Sequence, residues 1–184
     1  MDEPAIRSLV DAAHKGDEEA FGALFGRFEP DVARLCGRLL QSADEARDAA
    51  HETFLRARHG FHQYDPQRPF RPWLLGIASH HALDRLRRRQ TERDLFQPHA
   101  DDDAHGDPAP SPLQGELDAE LRRRVLRAID TLPDRYRAPL LLRYYSELDY
   151  DAIAELLDVS RGQVGSLLYR ARVLLRTQLS EPTA

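Results

Sequence analysis

Residues 149–164 read DYDAIAELLDVSRGQV, and this stretch decides how the C-terminal part of the chain folds. The apolar residues that follow Asp149 recur at helical spacing, which predicts a short helix capped by that aspartate. Asp158 tolerates the left-handed conformation that ends such a helix. Ser160 and Gln163 have the spacing of a capping box and predict the start of a second helix. The pattern as a whole predicts a helix-turn-helix.

The helix after the turn is basic. It carries four arginines, Arg161, Arg170, Arg172 and Arg176, with no acidic residue between them. A positively charged helix at this position is what docking on DNA phosphates requires. Two packed helices with a short turn can mimic the motif, but the capping, turn and charge signals coincide here. The stretch therefore predicts DNA binding.

The composition limits the class of protein. The chain has 184 residues, of which 41% are hydrophobic, and this suits one domain or two small ones. It contains no apolar run long enough to cross a membrane, and its acidic start lacks the basic and apolar regions of a secretory signal. We therefore expect a soluble, cytoplasmic protein without membrane insertion. The single cysteine, Cys36, excludes an internal disulfide and is expected to be a small buried residue.

The net charge of −5 hides a strong segregation of charge along the chain. Seven arginines and only two acids lie at positions 66–93, whereas positions 94–120 hold eight acids, no Lys or Arg, and several prolines and glycines. The second composition is typical of a linker. We therefore predict an all-α protein with a helical domain at 1–95, a flexible acidic, proline-rich linker at 96–115, and a second helical domain with the helix-turn-helix at 116–180.

Two prolines fall inside helical patterns. A helix that opens at Asp17 carries a stripe of aromatic and aliphatic residues up to Pro30, which is expected to break or redirect it. Pro139 lies inside another helical pattern, in the C-terminal part of the chain. It predicts a kink near Arg135, because a proline ring clashes with the carbonyl four residues earlier.

An acidic ridge is predicted on the helix that begins after Ser42. Asp44, Asp48 and Glu52 are separated by four residues each, so their side chains share one side of that helix. Exposure to solvent is the default for such residues, but carboxylates at this spacing repel each other and cost some helix stability. A partner with a basic surface would relieve that repulsion.

Residues 61–73 read FHQYDPQRPFRPW and predict a structured loop. Aromatic rings beside guanidinium groups on an irregular segment can hold single-stranded bases. The alternative is that Phe61, Phe70 and Trp73 only pin the loop to the core, and core packing is the favoured role for Trp73. The next helix ends in DRLRRR at 84–89, which is too concentrated a positive charge for a neutral solvated face.

Several strings resemble one known family. DAAHETFLR at 48–56, FRPWLLGIA at 70–78 and ALDRLRRR at 82–89 resemble the first conserved domain of the extracytoplasmic-function (ECF) group of bacterial sigma factors. LPDRYR at 132–137 and LLLRYY at 140–145, followed by the helix-turn-helix, resemble their second domain. The resemblance covers nearly everything except the linker and the termini, and the two halves in this order are far more specific than either alone.

The resemblance implies a protein that binds core RNA polymerase, directs it to a promoter and helps to open the duplex without catalysing a reaction. The residues implied to contact the polymerase are Asp44, Asp48, Glu52 and Phe54. Those implied to capture the non-template strand of the minus-ten element, with one base taken out of the stack, are Arg68, Phe70, Arg71, Trp73, His80, Arg85 and Arg88. Those implied to read the minus-thirty-five element are Ser160, Arg161, Gln163, Ser166 and Arg170. An anti-sigma factor is implied as a further partner.

The sequence departs from the family pattern at four positions. His80 stands where the family pattern has Asn, and His51 where it has Gln, so hydrogen bonding there becomes pH-dependent. In the recognition helix, Gly165 and Leu167 replace positions that are commonly Lys and Arg. A glycine inside a helix costs about 1 kcal/mol relative to alanine, which indicates either close approach of the backbone to DNA or a weakened helix.

Other functions are less well supported by the residues. The eight histidines are scattered, and the chain has no glycine-rich phosphate loop, so no cofactor, metal or enzymatic activity is expected. A two-domain helix-turn-helix regulator that acts without the polymerase stays open as an alternative, and it would bind its DNA site alone. A helical interaction protein whose basic patches bind an acidic partner is a third possibility, and it would leave promoter choice unchanged.

Overall fold

A computed structural model describes residues 3–96 and 116–180, with side chains for residues 4–89 and 120–180, and all regular structure in these ranges is helical. The chain divides into two compact units, Met1–Glu92 and Arg93–Ala184. The first four helices are α1 (Glu3–His14), α2 (Glu18–Leu40), α3 (Ala43–Gly60) and α4 (Phe70–Phe96), with a 3-10 turn at Phe61–Gln63. The last four are α5 (Glu116–Asp130), α6 (Asp134–Tyr144), α7 (Tyr150–Leu157) and α8 (Arg161–Ser180).

The all-α prediction is confirmed. The predicted linker, residues 96–115, lies outside the described residues except for Phe96, which ends α4. None of the helices in the described ranges combines the length and apolar character that crossing a bilayer requires.

Helix α2 supplies a large share of the buried side chains of the first unit. Asp17 caps it, because Asp17 Oδ1 accepts hydrogen bonds from Glu19 N and Ala20 N at 3.0 Å. The helix continues through Pro30 for 23 residues, so a break at Pro30 is wrong, and a change in helix direction there stays a prediction. Buried side chains such as Phe28 and Val32 lie on both sides of the proline. Each contributes about 1.5–3 kcal/mol of burial energy, which together exceeds the cost of about 3 kcal/mol for an internal proline.

Proline is also accommodated in the second unit. Helix α6 runs without interruption through Pro139, which is buried among apolar neighbours. The kink that we predicted near Arg135 stays a prediction.

Small residues let α3 pack closely against α2. Helix α3 begins after Ser42, as predicted, and Ser42 caps it with Oγ 3.4 Å from Glu45 N. The face towards α2 is built largely of buried alanines, and Ala46 Cβ lies 4.0 Å from the place where Gly37 of α2 would carry a Cβ. Cys36 of α2 is fully buried, and burial raises the pKa of its thiol to about 12. Its predicted role as a small apolar residue is confirmed.

The helix-turn-helix has the predicted geometry. Asp149 Oδ1 accepts from Ala152 N at 2.8 Å, and Asp158 ends α7 in the left-handed conformation with φ of 54°. Ser160 and Gln163 form the reciprocal capping box: Gln163 N donates to Ser160 Oγ at 3.2 Å, and Ser160 N donates to Gln163 Oε1 at 2.8 Å. The entry of α8 is therefore fixed by local hydrogen bonds.

Arg137 closes the turn between α5 and α6. It is 3% exposed, and its Nη1 donates to Leu132 O at 2.8 Å and to Asp130 O at 3.4 Å. Its Nη2 pairs with Asp134. Burial lowers the pKa of this guanidinium, while the carboxylates of Asp134 and Asp130 counteract that effect. The cation satisfies backbone carbonyls that the helix ends leave without a partner.

Gly165 faces α7. A Cβ at this position would lie 3.8 Å from Tyr150 Cε2, which is ordinary van der Waals contact. The close neighbour of Gly165 is therefore the first helix of the motif, and nothing in the packing of the described residues requires a glycine there. Of the two expectations for Gly165, this geometry favours the weakened helix.

Replacing Arg137 with methionine should lower the free energy of unfolding of the second unit by about 2–4 kcal/mol, because buried carbonyls lose a charged donor. Circular dichroism during denaturation measures this loss. Fluorescence of Trp73, the only tryptophan, reports the first unit and should show an unchanged transition. Arg122→Met, at an exposed site on α5, is the control and should change stability by less than about 0.5 kcal/mol. An equal loss in both variants would contradict the role of Arg137.

Gly165→Ala should stabilise the second unit by about 0.5–1 kcal/mol, because alanine removes the entropic cost of a helical glycine. The same circular dichroism experiment detects the gain. Gly22→Ala, at an open and exposed position of α2, should instead raise the transition followed by Trp73 fluorescence. A loss of stability in Gly165→Ala would mean that Tyr150 cannot accommodate the methyl group.

Candidate nucleic-acid and polymerase interfaces

Helix α4 exposes one stripe of residues to solvent. Trp73, His80 and Arg87 are seven residues apart, so they lie along one side of the helix. His80 and Arg87 are exposed, Trp73 is half-buried, and the exposed Arg88 lies beside them. His80 Nδ1 is 3.0 Å from Gly76 O, within the same helix. Arg87 was not among the predicted contacts, although its seven-residue spacing from His80 could have identified it.

Two other arginines of α4 face the helices beneath it. Arg85 Nη1 donates to Glu45 O at 3.1 Å, and Arg85 Nη2 lies 3.8 Å from Asp48 Oδ2. Arg89 Nη1 donates to Leu40 O at 3.1 Å and lies 3.4 Å from Glu45 Oε2. The structure thus places Arg85, a predicted DNA contact, between α4 and the start of α3.

The first turn of α4 contains three of the predicted DNA contacts. Phe70, Arg71 and Trp73 lie in this turn and not in a loop, so the loop predicted at 61–73 is confined to residues 64–69. Arg71 Nε donates to Asp31 Oδ2 on α2 at 2.7 Å. Arg71 is therefore engaged within the protein.

A cluster of four aromatic rings supports the loop. The rings of Phe61, Tyr64, Phe70 and Trp73 contact one another with centroids 4.8–6.2 Å apart. Phe70 and Tyr64 are each 3% exposed. Phe70 consequently has no free ring face for a base in this conformation, whereas Trp73 packs in the cluster and keeps part of its ring at the surface.

The loop itself is held by internal hydrogen bonds. Arg68 N donates to Asp65 O at 3.0 Å, Gln67 N donates to Asp65 Oδ1 at 2.9 Å, and the Tyr64 hydroxyl donates to Arg68 O. The Arg68 side chain is exposed, with Nε 3.7 Å from Asp65 Oδ2. A surface pocket lies between this loop and α1, and it is lined by Ile6, Arg7, Val10, Pro66, Arg68 and Phe70 among others.

The acidic ridge of α3 is offset by cations of the same unit. The pairs are Asp44 with Arg47 at 3.4 Å, Asp48 with Arg85 at 3.8 Å, and Glu52 with Arg56 at 2.7 Å. The Arg56 hydrogen bond lowers the pKa of Glu52. The side chains of Asp44 and Asp48 are 93% and 70% exposed and so stay accessible to a partner. Relief of the predicted repulsion does not depend on a partner.

Two apolar residues accompany the ridge. Phe54 is half-buried, with ring centroids 4.4 Å from Phe25 and 5.7 Å from Phe21 of α2. Leu55 is 45% exposed and follows Glu52 by three residues, so it extends the ridge with an apolar surface. Leu55 was not predicted as a contact, and its spacing from Glu52 is the signal that could have found it.

The predicted minus-thirty-five contacts are all exposed on or just before α8: Ser160, Arg161, Gln163, Ser166 and Arg170. Arg161 pairs with Asp151 of α7, and its guanidinium carbon lies 6.0 Å from the Tyr150 ring centroid. The first arginine of the helix is therefore oriented by α7 before any DNA is bound.

Tyr169 is a further candidate that was not predicted. It is 64% exposed and follows Ser166 by three residues, so both side chains share the outer face of α8. Leu167 is half-buried. Tyr169 lies between two predicted polar contacts, Ser166 and Arg170, and this placement is the sequence signal that could have identified it.

Comparisons with known proteins agree with this arrangement. The family model of sigma-70 region 2 matches residues 24–92, and that of sigma-70 region 4 matches residues 122–175. One match thus falls in each helical unit.

Several relatives match over most of their length. The ECF RNA polymerase sigma factor SigW of Bacillus subtilis is 30% identical over 97% of this chain and 99% of its own. The ECF RNA polymerase sigma-E factor of Escherichia coli K12 is 32% identical over 89% of this chain and 88% of its own.

Solved structures also match the chain. CnrH, in complex with the cytosolic domain of CnrY, has a TM-score of 0.60 and 25% identity over 97% of this chain and 99% of CnrH. The sigma factor RpoE from Bartonella quintana, in complex with the anti-sigma factor NepR, has a TM-score of 0.62 and shows the same fold at 21% identity, over 89% of this chain and 98% of its own. The chain therefore belongs to the ECF family of RNA polymerase sigma factors.

Proposed function

We propose that this sigma factor joins core RNA polymerase in the cytoplasm and opens promoters with the exposed stripe of α4, while α8 reads the upstream element. The factor contributes binding and orientation, and the chemistry of transcription belongs to the polymerase. The observation that carries the proposal is the division of α4 into a face fastened to its own unit and a face that presents Trp73, His80, Arg87 and Arg88 to solvent.

The minus-ten strand would run along this stripe and the adjoining loop. Arg87, Arg88 and the exposed Arg68 supply positive charge for phosphates, and Trp73 supplies a ring edge beside them. The pocket between α1 and the loop would hold the base that leaves the stack, with Arg7 and Arg68 at its rim. Extrusion costs a few kcal/mol, which contacts in the pocket offset.

Two residues implied by the resemblance to contact this strand act indirectly in our proposal, because Arg71 and Arg85 fasten α4 to α2 and α3. Their position in the packing, and not contact with bases, would explain why a promoter-opening helix carries them. Phe70 supports the loop through its buried ring and also lines the pocket proposed for the extruded base.

The outer face of α8 would enter the major groove at the minus-thirty-five element. Ser166, Tyr169 and Arg170 lie along this face, and Gln163 and Arg161 lie at the N-terminal end of the helix, where recognition helices contact base edges. Arg161 would exchange Asp151 for a phosphate.

Core polymerase would bind the α3 ridge. Asp44 and Asp48 offer exposed charge to a basic surface, and Leu55 offers an apolar contact at the end of the ridge. Both structural relatives were solved in complex with a second protein, CnrH with the cytosolic domain of CnrY and RpoE with the anti-sigma factor NepR. We propose that an anti-sigma protein likewise covers one of these surfaces until transcription is required.

Run-off transcription with purified core polymerase tests the proposal. On fragmented genomic DNA of the source bacterium, addition of this protein should produce discrete new start sites. Because Arg87 and Arg88 would contact the opened strand, the double variant Arg87→Gln/Arg88→Gln should weaken these start sites by about tenfold or more. Arg122→Gln, at an exposed arginine of α5, should not.

Two outcomes would contradict the proposal. Absence of new start sites, together with site-specific DNA binding by the protein alone, would instead support a regulator that acts without the polymerase. Normal start sites from Arg87→Gln/Arg88→Gln would show that the exposed stripe of α4 is not the strand-binding face.

A further inference from the structure

Asp31 on α2 belongs to no surface assigned so far, yet it holds a cation of the promoter-opening region. Its Oδ2 accepts from Arg71 Nε at 2.7 Å, and its Oδ1 accepts from Arg34 Nη2 on the same helix. The side chains of Asp31 and Arg71 are 16% and 29% exposed. Burial raises the pKa of Asp31, but the hydrogen bonds from Arg71 and Arg34 outweigh burial and hold that pKa below its usual value. Asp31 is therefore a charged carboxylate at neutral pH.

The contact lies where the loop meets α4. Arg71 is the second residue of α4 and directly follows loop residues 64–69. One turn before Asp31, the Phe28 ring lies 5.5 Å from the Phe70 ring. Helix α2 thus contacts the start of α4 through the ring pair Phe28–Phe70 and the ion pair Asp31–Arg71. Hydrogen bonds that Asp65 accepts from residues 67 and 68 hold the earlier part of the loop. The contacts with α2 therefore fix the point where the loop leads into α4.

We propose that Asp31 and Arg71 form an anchor that positions the loop for promoter opening, and that Arg71 acts through Asp31 and not by binding DNA. The inference rests on the proposed function of the loop. If the Arg71 guanidinium bound a phosphate instead, the partly buried Asp31 carboxylate would lose the partner that connects it to α4. Asp31 and Arg71 are more shielded from water than the exposed pairs Asp151–Arg161 and Asp84–Arg87, so the Asp31 carboxylate would also repel a phosphate more strongly. Asp31 and Arg71 are accordingly positioning residues.

The test measures the rate of promoter opening by holoenzyme assembled from core polymerase and the full chain, with 2-aminopurine in the minus-ten element as the probe. Asp31→Asn and Arg71→Gln should each slow opening by about tenfold, the scale of one charge-assisted hydrogen bond. The double variant should be no more than about twofold slower than either single variant, because all three break one contact. Arg34→Gln is the matched control, since Arg34 lies on the same helix as Asp31 and shares its carboxylate, and it should stay within about twofold of wild type.

Salt dependence separates an anchor from a phosphate contact. Loss of a single-strand phosphate contact lowers the slope of log affinity against log salt by about 0.7, whereas loss of an anchor leaves the slope unchanged. Affinity for core polymerase should remain that of wild type in every variant. The Trp73 unfolding midpoint should fall by a similar amount in Asp31→Asn, Arg71→Gln and the double variant, because all three lose the same contact between α2 and α4, while the chain stays folded at the temperature of the assay.

The outcomes are decisive in both directions. A wild-type holoenzyme that fails to open promoters would overturn the proposed function itself. If wild type opens them, then normal or faster opening by Asp31→Asn, or a reduced salt slope in Arg71→Gln, would overturn the anchor alone. Should the neutral variants fold poorly, the exchange Asp31→Arg/Arg71→Asp decides: recovery of opening relative to each single reversal supports the anchor, and failure to recover contradicts it.

Discussion

The first unit depends on how α2 and α3 hold the arginines of α4. Arg71 is bound by a carboxylate of α2, Arg85 by the Glu45 carbonyl, and Arg89 by the Leu40 carbonyl with the Glu45 carboxylate. Each contact spans two helices and is at least partly shielded from water, so each is stronger than an exposed ion pair. A helix so rich in positive charge would otherwise repel itself. The arginines of α4 thus take two roles. Arg71, Arg85 and Arg89 bind groups of other helices, whereas Arg87 and Arg88 are exposed, and the pair that Arg87 forms with the exposed Asp84 of its own helix is one that a phosphate can displace.

In the second unit, side chains that hold the helices in place bind backbone groups. Arg137 satisfies carbonyls at the α5–α6 turn, and the capping box of Ser160 and Gln163 fixes the start of α8. The scaffold can therefore present an outer face that contributes little to its own stability. On that face Tyr169 is largely exposed, and Arg161 is held by α7 in an exposed pair that a phosphate can displace. Specificity can vary there without loss of the fold.

Local chemistry was predictable from the sequence, and long-range pairing was not. The cap at Asp149, the left-handed Asp158 and the capping box depend on residues within four positions of one another, so their spacing reveals them. The partner of Arg71 lies 40 residues away on another helix, and composition does not distinguish Arg85 from Arg87. Periodicity could have done so, because Arg87 repeats the register of Trp73 and Arg85 does not. The predicted break at Pro30 was wrong for an energetic reason, because the burial of side chains on both sides of Pro30 outweighs the local cost of proline in a helix.

The central claim is that α4 divides its arginines between an anchored face and a DNA face. The most direct test compares two adjacent residues, the exposed Arg88 and the inward Arg89, as Arg88→Gln and Arg89→Gln in holoenzyme bound to promoter DNA that is already single-stranded at the minus-ten element. The account predicts that the slope of log affinity against log salt falls by about 0.7 for Arg88→Gln and is unchanged for Arg89→Gln. Equal changes in both variants, or a change in Arg89→Gln alone, would contradict it.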